Sequence, residues 1–450
     1  MLSFVSKNRI PQNTKDPPIL RAKLLAFCVP LSGVAWSRFQ NFVLLDAGYS
    51  PTTIGFLKSS SYFGKIIFAP FWGIVGDLYS PVFALLVSYV ISGLSLELMR
   101  QCIIHKWSFY AIYIIKMVRS ACNCIGPVTE AVLFSVTRRR KDGESYGKQR
   151  IWSSIAWGGG SLFAGCLIDQ FGLWSIFPFT YLMICIAIII LYTFSLTDFD
   201  NSKHQVDEHT VVHKTDQKLI EEQQSKHQLD KVMEGLNQLL LHPELSKTAY
   251  QVIFTGFFMT LVDQILPIQL EKKNVSRWMN GLTTFISIMS SIPIYYYCEN
   301  IIQNKGIHWM FQIAQSVYGI RLLGMATLSF FNPAYQYILL IFFQLLHGIT
   351  FALIWLGATY KIQSLSYKLN LTTSASTLVS TLYFTIGQGF GNVFWMYLYQ
   401  IYQNCGLLYF SGFCIIVFNV LLTHKFSNRG GVLLHVLKNQ KENPSFDNML

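Results

Sequence analysis

The sequence predicts an all-α membrane protein whose twelve transmembrane helices form two six-helix bundles. Hydrophobic residues make up 52% of the 450 residues and charged residues only 13%, about half the charged share of a soluble protein. Apolar runs of about 18–25 residues, the length that crosses a bilayer, recur along the chain. The single long polar stretch, residues 198–247, divides these runs six and six.

The apolar runs give twelve predicted spans, numbered one to twelve along the chain. They cover about 24–45, 53–76, 81–99, 107–136, 151–170, 174–195, 248–268, 279–297, 309–330, 335–358, 372–398 and 405–423. The predicted domains are an N-terminal tail (1–23), a first bundle (24–197), a linker (198–247), a second bundle (248–424) and a C-terminal tail (425–450).

The distribution of basic residues predicts the orientation. Of the 35 Lys and Arg residues, 24 fall in segments on the side of the N-terminus, five in loops on the opposite side and six within spans. The positive-inside rule then places both termini in the cytoplasm. A plasma membrane and an internal membrane both fit. Asn274-Val-Ser276 falls in a predicted outside loop and is a candidate glycosylation site.

Composition also excludes several function classes. The net charge of +12 does not indicate nucleic-acid binding, because the basic residues stand at the ends of apolar runs. The nine cysteines show no Cys-x-x-Cys or His-Cys spacing, so we expect neither a metal site nor a cofactor. His204, His209 and His213 lie in the polar linker without a fixed fourth ligand, which favours a solvated segment.

The two halves resemble each other weakly. Ile54-Gly55 at the start of span two recurs as Asn280-Gly281 at the start of span eight. The glycines of span five, residues 158–160, have counterparts in span eleven, residues 387–391. A parallel internal repeat of this kind places a substrate site between the halves at the middle of the membrane.

Span four carries the clearest polar stripe. Lys116, Arg119, Asn123, Pro127 and Glu130 are spaced by three or four residues, which puts them on one face of a helix. Because an ionisable side chain at the bilayer centre costs about 2.5–3.5 kcal/mol, such a stripe is expected to line a water-filled cavity. Glu130 is also placed to brace two helices by pairing with Arg150.

Further polar residues stand inside other spans, and each has a structural alternative. Asp263 lies deep in span seven, and Arg321 of span nine is a candidate partner for it. His347 of span ten could be a neutral core histidine. Lys58 and Lys65 could reach toward the two membrane surfaces, whereas Arg38 of span one has no acid on its own helix.

One segment carries a specific resemblance. Pro127-Val-Thr-Glu130-Ala, followed by Tyr146-Gly-Lys-Gln-Arg150 and Trp157, resembles spans four and five of the major facilitator superfamily. The likeness is to the branch with lactose permease, nucleoside–proton symporters and animal orphan "major facilitator domain-containing" proteins. The resemblance implies that Glu130, Arg150 and Trp157 contact substrate.

Other segments agree with this branch in part. Asp263-Gln264, the segment around Arg321 and that around His347 are similar to its spans seven, nine and ten, which implies a proton network. Gly73-Ile-Val-Gly-Asp77 resembles half of the superfamily's gating-loop motif. Thr350 stands where lactose permease has a protonatable glutamate, so a coupled proton would be carried by Asp263 or Glu130.

The sequence therefore predicts a secondary transporter in the lipid bilayer that moves a small polar organic solute, with proton symport favoured. A sugar or glycoside is the favoured solute and a nucleoside the next. The expected substrate contacts are Glu130, Arg150, Trp157, Asn123 and Asp263. The alternatives are a proton-independent facilitator, a non-transporting sensor or scaffold, and a membrane enzyme built around His347.

Overall fold

A computed structural model describes residues 19–427, except 50, 79–80, 140–144, 194–229, 273–274, 332, 367–368 and 370. The regular structure of this part is helical, with no strand among the described residues. Asn274, the three linker histidines and most of both predicted tails lie outside it. The predicted linker continues beyond residue 229 into a short helix over 230–240.

The helices lie over the twelve predicted spans. Six of them, in spans three, five, six, seven, ten and twelve, are long and apolar enough to cross a membrane by themselves. The remaining spans carry charges or helix breaks. In chain order the α-helices cover Ile19–Asp46, Pro51–Leu78, Pro81–Ile104, Phe109–Ala121, Ile125–Arg139, Tyr146–Phe171, Ile176–Thr193, Pro243–Lys272, Arg277–Met289, Ile292–Tyr296, Cys298–Lys305, Ile307–Thr327, Pro333–Ser366, Thr372–Ser380, Gly389–Tyr402 and Cys405–Ser427.

Prolines explain two breaks that the apolar pattern did not predict. Span four ends at Ala121 and resumes at Ile125, because Pro127 lacks an N–H and its ring meets the carbonyl of Asn123. Span eight stops at Met289 for the same reason, since Pro293 lies four residues further on. Both breaks stand where the halves face each other.

Two helices extend beyond the predicted spans. Span seven begins at Pro243 rather than at about 248, since Pro243 is well suited to a first helical turn. Span two continues to Leu78, so Gly73 and Asp77 lie in the helix and not in a loop after it. No proline follows Gly76 in this helix, which therefore continues through Asp77 to Leu78.

The two halves meet through equivalent helices. Span five packs along span eight, and span two packs along span eleven. The second and fifth spans of each half therefore face the fifth and second of the other, as two repeats related by a twofold axis would. They approach closely at Gly147, where an added Cβ would lie 2.3 Å from the Tyr295 carbonyl oxygen.

Span eleven contains a π-helix at its centre. Its α-helix over Thr372–Ser380 widens into a π-helical run, Thr381–Gln388, before Gly389–Tyr402 resumes α-helical geometry. π-helical insertions are rare and are frequently found at functional sites. This one faces the space between the two halves, which it lines through Thr381, Phe384 and Gln388.

Candidate solute site between the two halves

A cavity of about 590 Å³ lies between the halves and is lined by helices from both. Its volume falls within the range of roughly 300–1,000 Å³ that small-molecule pockets occupy. The structure places six of the predicted site residues on its wall: Asn123, Glu130, Arg150, Trp157, Asp263 and His347. Arg321 lies behind the wall, and Gly73 and Asp77 lie outside the cavity.

All five residues of the span-four stripe line the cavity despite the break in the helix. Asn123 has a second role at that break, where its Oδ1 accepts a hydrogen bond of 3.3 Å from the backbone N–H of Ile125. This bond satisfies one free donor at the start of the helix Ile125–Arg139. The predicted common face is therefore observed, and one of its members also caps a helix.

Glu130 is 5% exposed and forms an ion pair with Arg150, as the sequence indicated. Two residues complete this group, and sequence reasoning missed both. The Tyr146 hydroxyl donates to Glu130, and Trp355 of span ten donates to the Tyr146 oxygen over 3.2 Å. The Arg150 guanidinium carbon lies 5.4 Å from the centre of the Trp355 ring, within cation–π range.

Tyr146 belongs to the segment that resembles the major facilitator superfamily, and its position four residues before Arg150 was the sequence feature that pointed to it. Trp355 carried no comparable signal, because its partners are about two hundred residues away in the sequence. Tyr146, Phe134 and Tyr360 pack their rings 5.6–6.0 Å apart. Since Tyr360 belongs to span ten, this aromatic cluster joins the halves on the side of the bundle where span five begins and span ten ends.

A second polar group joins spans seven, nine and ten. Arg321, wholly buried, lies 2.8 Å from His347 Nδ1 and donates to Gln344 over 3.0 Å. His347 Nδ1 is 3.8 Å from Asp263 Oδ1. Asp263 was a candidate partner of Arg321, but the Arg321 guanidinium contacts His347, Gln344 and the Tyr318 ring. The histidine thus stands between the arginine and the carboxylate.

Two basic residues of the first half reach across the cavity. Arg38 donates to the Thr284 hydroxyl of span eight, and Lys58 donates to Gln264 Oε1 over 2.8 Å. Lys58 and Lys65 both line the cavity, so the interpretation that they extend toward the membrane surfaces was wrong. The reason is that span two presents this face to the second half.

Carboxylates of the first half cap helices of the second half outside the cavity. Asp77 accepts from the backbone N–H groups of Thr373 and Ser374 at 2.8 and 2.9 Å. Asp169, at the other end of the bundle, accepts from the N–H of Trp278 at 3.0 Å. Each carboxylate sits at a helix N-terminus, where a negative charge is stabilised.

Within the described part of the chain, no group of three His, Cys, Asp or Glu side chains is close enough to hold a metal ion. The polar groups of the cavity are instead basic side chains, two carboxylates, amides and hydroxyls. Such groups can bind and orient a hydroxylated or charged solute, and they can move a proton between neighbouring atoms.

Comparisons with known proteins agree with this architecture. A family model described as "MFS_1 like family" matches residues 37–409. No curated protein sequence matches the chain. A mutant of the nucleoside transporter NupG superimposes with a TM-score of 0.64 at 13% identity, covering 90% of this chain and 98% of that chain. A second NupG structure gives 0.56 at 15%, covering 90% and 96%. The likeness confirms the predicted all-α membrane fold of the major facilitator type.

Proposed function

Because the chain belongs to the MFS_1-like family, as its motifs indicated, we propose that it is a proton-coupled secondary transporter of a small polar organic solute, not an enzyme. The observation that carries this proposal is the cavity between the two halves, whose wall carries charged and polar side chains from both. In this architecture the halves rock about a central site and expose it to each side in turn. A sugar or glycoside is the first candidate solute and a nucleoside, as in NupG, the second.

The contacts on either side of the cavity support alternating access. On one side the Asp77 cap and the aromatic cluster of Tyr146, Phe134 and Tyr360 join the halves. On the other side Asp169 caps Trp278. Opening either side requires that its own contacts break, so the two sides can open in turn. We place the side of the termini in the cytoplasm, following the positive charge of its loops.

Glu130, Arg150 and Trp157 are the proposed solute contacts in the first half. An arginine and a carboxylate that already form an ion pair offer donors and acceptors in a fixed geometry, which suits neighbouring hydroxyls. The Trp157 ring lines the same cavity and offers an apolar face to a sugar or nucleobase. Asn123 and Asp263 contribute amide and carboxylate groups to the same cavity wall.

His347 is the proposed proton switch. Because arginine has no acceptor, Arg321 can bind His347 Nδ1 only when that nitrogen is unprotonated. A proton on Nδ1 would break this bond at 2.8 Å and turn the N–H toward Asp263, now 3.8 Å away. Proton uptake would thus replace one partner of His347 by another and pull on spans seven and nine.

Uptake by the purified full chain in proteoliposomes tests the proposal. Sugars, glycosides and nucleosides are offered under an inward proton gradient, while a trapped dye reports internal pH. We expect solute-dependent acidification inside, and loss of concentrative uptake in Asp263→Asn and Glu130→Gln. Asp46→Asn, which removes a carboxylate at the exposed end of span one, serves as control.

Three results would contradict parts of the proposal. Full concentrative uptake in both variants would exclude proton coupling through these carboxylates. Uptake without proton movement would identify a facilitator. No flux of any solute with folded protein would favour the sensor or scaffold.

A further inference from the structure

The cavity wall carries a large excess of positive charge. Its lining includes six basic side chains and only two acidic ones. Glu130 is already paired with Arg150, which leaves Asp263 as the single carboxylate among the described lining residues to face the other five cations. These five form the cationic cluster and come from spans one, two and four: Arg38, Lys58, Lys65, Lys116 and Arg119.

The hydrogen-bond partners recorded for the cationic cluster are neutral. Lys116 donates to Gln40 Oε1 over 2.9 Å, and Arg119 donates to the Ser92 hydroxyl over 3.2 Å. Arg38 and Lys58 bind a threonine and a glutamine, as described above. Lys65 has no hydrogen bond or ion pair to any described residue, and its side chain borders the cavity.

The members of the cluster lie close enough to repel one another. Lys116 interacts electrostatically with Lys58 and Arg119, Lys58 with Arg38, and Lys65 with Arg119. Asp263 offsets this repulsion for Arg38 and Lys58, but it is not among the partners of Lys65, Lys116 or Arg119. Among the described residues, therefore, no carboxylate offsets the charge of these three cations of the first half, which face the cavity.

Lys65 and Lys116 cannot relieve this charge repulsion by extending to the membrane surface. Lys65 stands near the middle of the helix Pro51–Leu78, which at 1.5 Å per residue puts it about 20 Å from either end. A lysine side chain spans less than half of that distance. Lys116 is 5% exposed. Because burial removes part of the solvation of a charged group and neighbouring like charges repel each other, a cluster with no countering anion among the described residues is an expensive arrangement.

We infer that the transported solute is an organic anion whose carboxylate or phosphate group binds at Lys65, Lys116 and Arg119. Lysine ammonium and arginine guanidinium groups are the usual ligands of both anions. The hydroxylated part of the solute then reaches Glu130, Arg150 and Trp157 in the same cavity. The inference rests on the proposed transport function and narrows it to sugar acids, sugar phosphates or nucleotides in place of their neutral parents.

Binding and flux are measured separately, so that the inference and the proposed function can fail independently. The full chain in detergent is titrated with matched neutral and anionic solutes: glucose, glucuronate and glucose 6-phosphate, then uridine and uridine monophosphate. Thermal stabilisation reports binding. We expect stabilisation by at least one anionic member of a set and none by its neutral parent. Glucuronate against the phosphates decides between carboxylate and phosphate.

Lys116→Gln and Lys65→Gln are the test variants, and Arg100→Gln is the matched control. Arg100 lies outside the cavity and pairs with Glu97 at 2.6 Å. Loss of one charge-assisted contact is expected to weaken anion affinity about tenfold or more, and the control should bind as the parent protein does. Variants are compared only where gel filtration gives a monodisperse, folded peak. One folded lysine variant is sufficient to test the inference.

Four outcomes overturn the inference. The first two are stabilisation by neutral solutes that equals that by anionic ones, and an unchanged anion affinity in a folded lysine variant. The other two are stabilisation by inorganic phosphate or chloride as strong as that by any organic anion, and the absence of any binding. Concentrative uptake of neutral solutes would then leave the proposed transport function in place. Anion binding without flux would keep the site and refute transport.

Discussion

The buried ion pair of Glu130 and Arg150 gives the sharpest stability prediction. Glu130→Gln removes the negative charge but keeps the shape of the side chain and an oxygen that can accept from Tyr146. The guanidinium of Arg150 then remains between the halves without its counter-charge. The substitution therefore isolates the charge from the packing and from the hydrogen bond.

The exposure of the two side chains sets the magnitude. Arg150 and Glu130 are 16% and 6% exposed, and removing one partner of a buried pair typically costs about 3–5 kcal/mol. The Trp355 ring, 5.4 Å from the guanidinium, stays in place and offsets about 1 kcal/mol of that cost. We expect Glu130→Gln to lower the free energy of unfolding by roughly 2–4 kcal/mol.

Glu97→Gln provides the matched control, because its pair with Arg100 is a near-surface version of the same contact. Those side chains are 39% and 30% exposed, and an exposed pair contributes only about 0.2–1 kcal/mol. The same isosteric change should therefore cost several times less at position 97 than at position 130.

Unfolding by SDS in mixed micelles measures these free energies for Glu130→Gln, Arg150→Met, the double variant and Glu97→Gln. If the cost comes from an uncompensated charge, the double variant will be more stable than the sum of the single changes predicts. A loss below about 1 kcal/mol in Glu130→Gln, or strict additivity in the double variant, would refute the reasoning.

Two further predictions concern contacts between the halves. Asp77→Asn weakens the cap on the helix Thr372–Ser380, so spin labels on the two halves should show a longer-distance population on that side of the cavity. Asp169→Asn should lengthen the distances on the opposite side. Lengthening on the same side in both variants would contradict the proposal that each side has its own closing contacts. Gly147→Ala places a Cβ 2.3 Å from the Tyr295 carbonyl oxygen and should destabilise by about 1–3 kcal/mol. Gly159→Ala, which meets no atom within 4 Å, is its control and should be neutral or slightly stabilising by thermal unfolding; equal losses would refute the close approach.

Several features followed from the sequence because they depend on local spacing. The helical period places Lys116, Arg119 and Glu130 on one face, and the cost of burying charge in lipid implies that this face meets a cavity. Both inferences agree with the structure, as does the ion pair between Glu130 and Arg150. Pro127 and Pro293 also account for the two helix breaks at the level of the sequence, because each proline ring meets the carbonyl of the residue four positions before it.

Features that join distant parts of the chain could not be obtained in this way. The apolar pattern shows which face of a helix avoids lipid, but it does not show which other helix covers that face. Trp355 meets Tyr146, and Arg321 meets His347 in place of Asp263, because of how spans five, nine and ten pack. The sequence by itself determined the membrane-spanning helices and the cost of each charge within them. Beyond the pair of Glu130 and Arg150, only the tertiary structure decided which charges share a partner and which face the cavity with no counter-charge among the described residues, because pairing depends on distances of a few ångströms between residues that are remote in the chain.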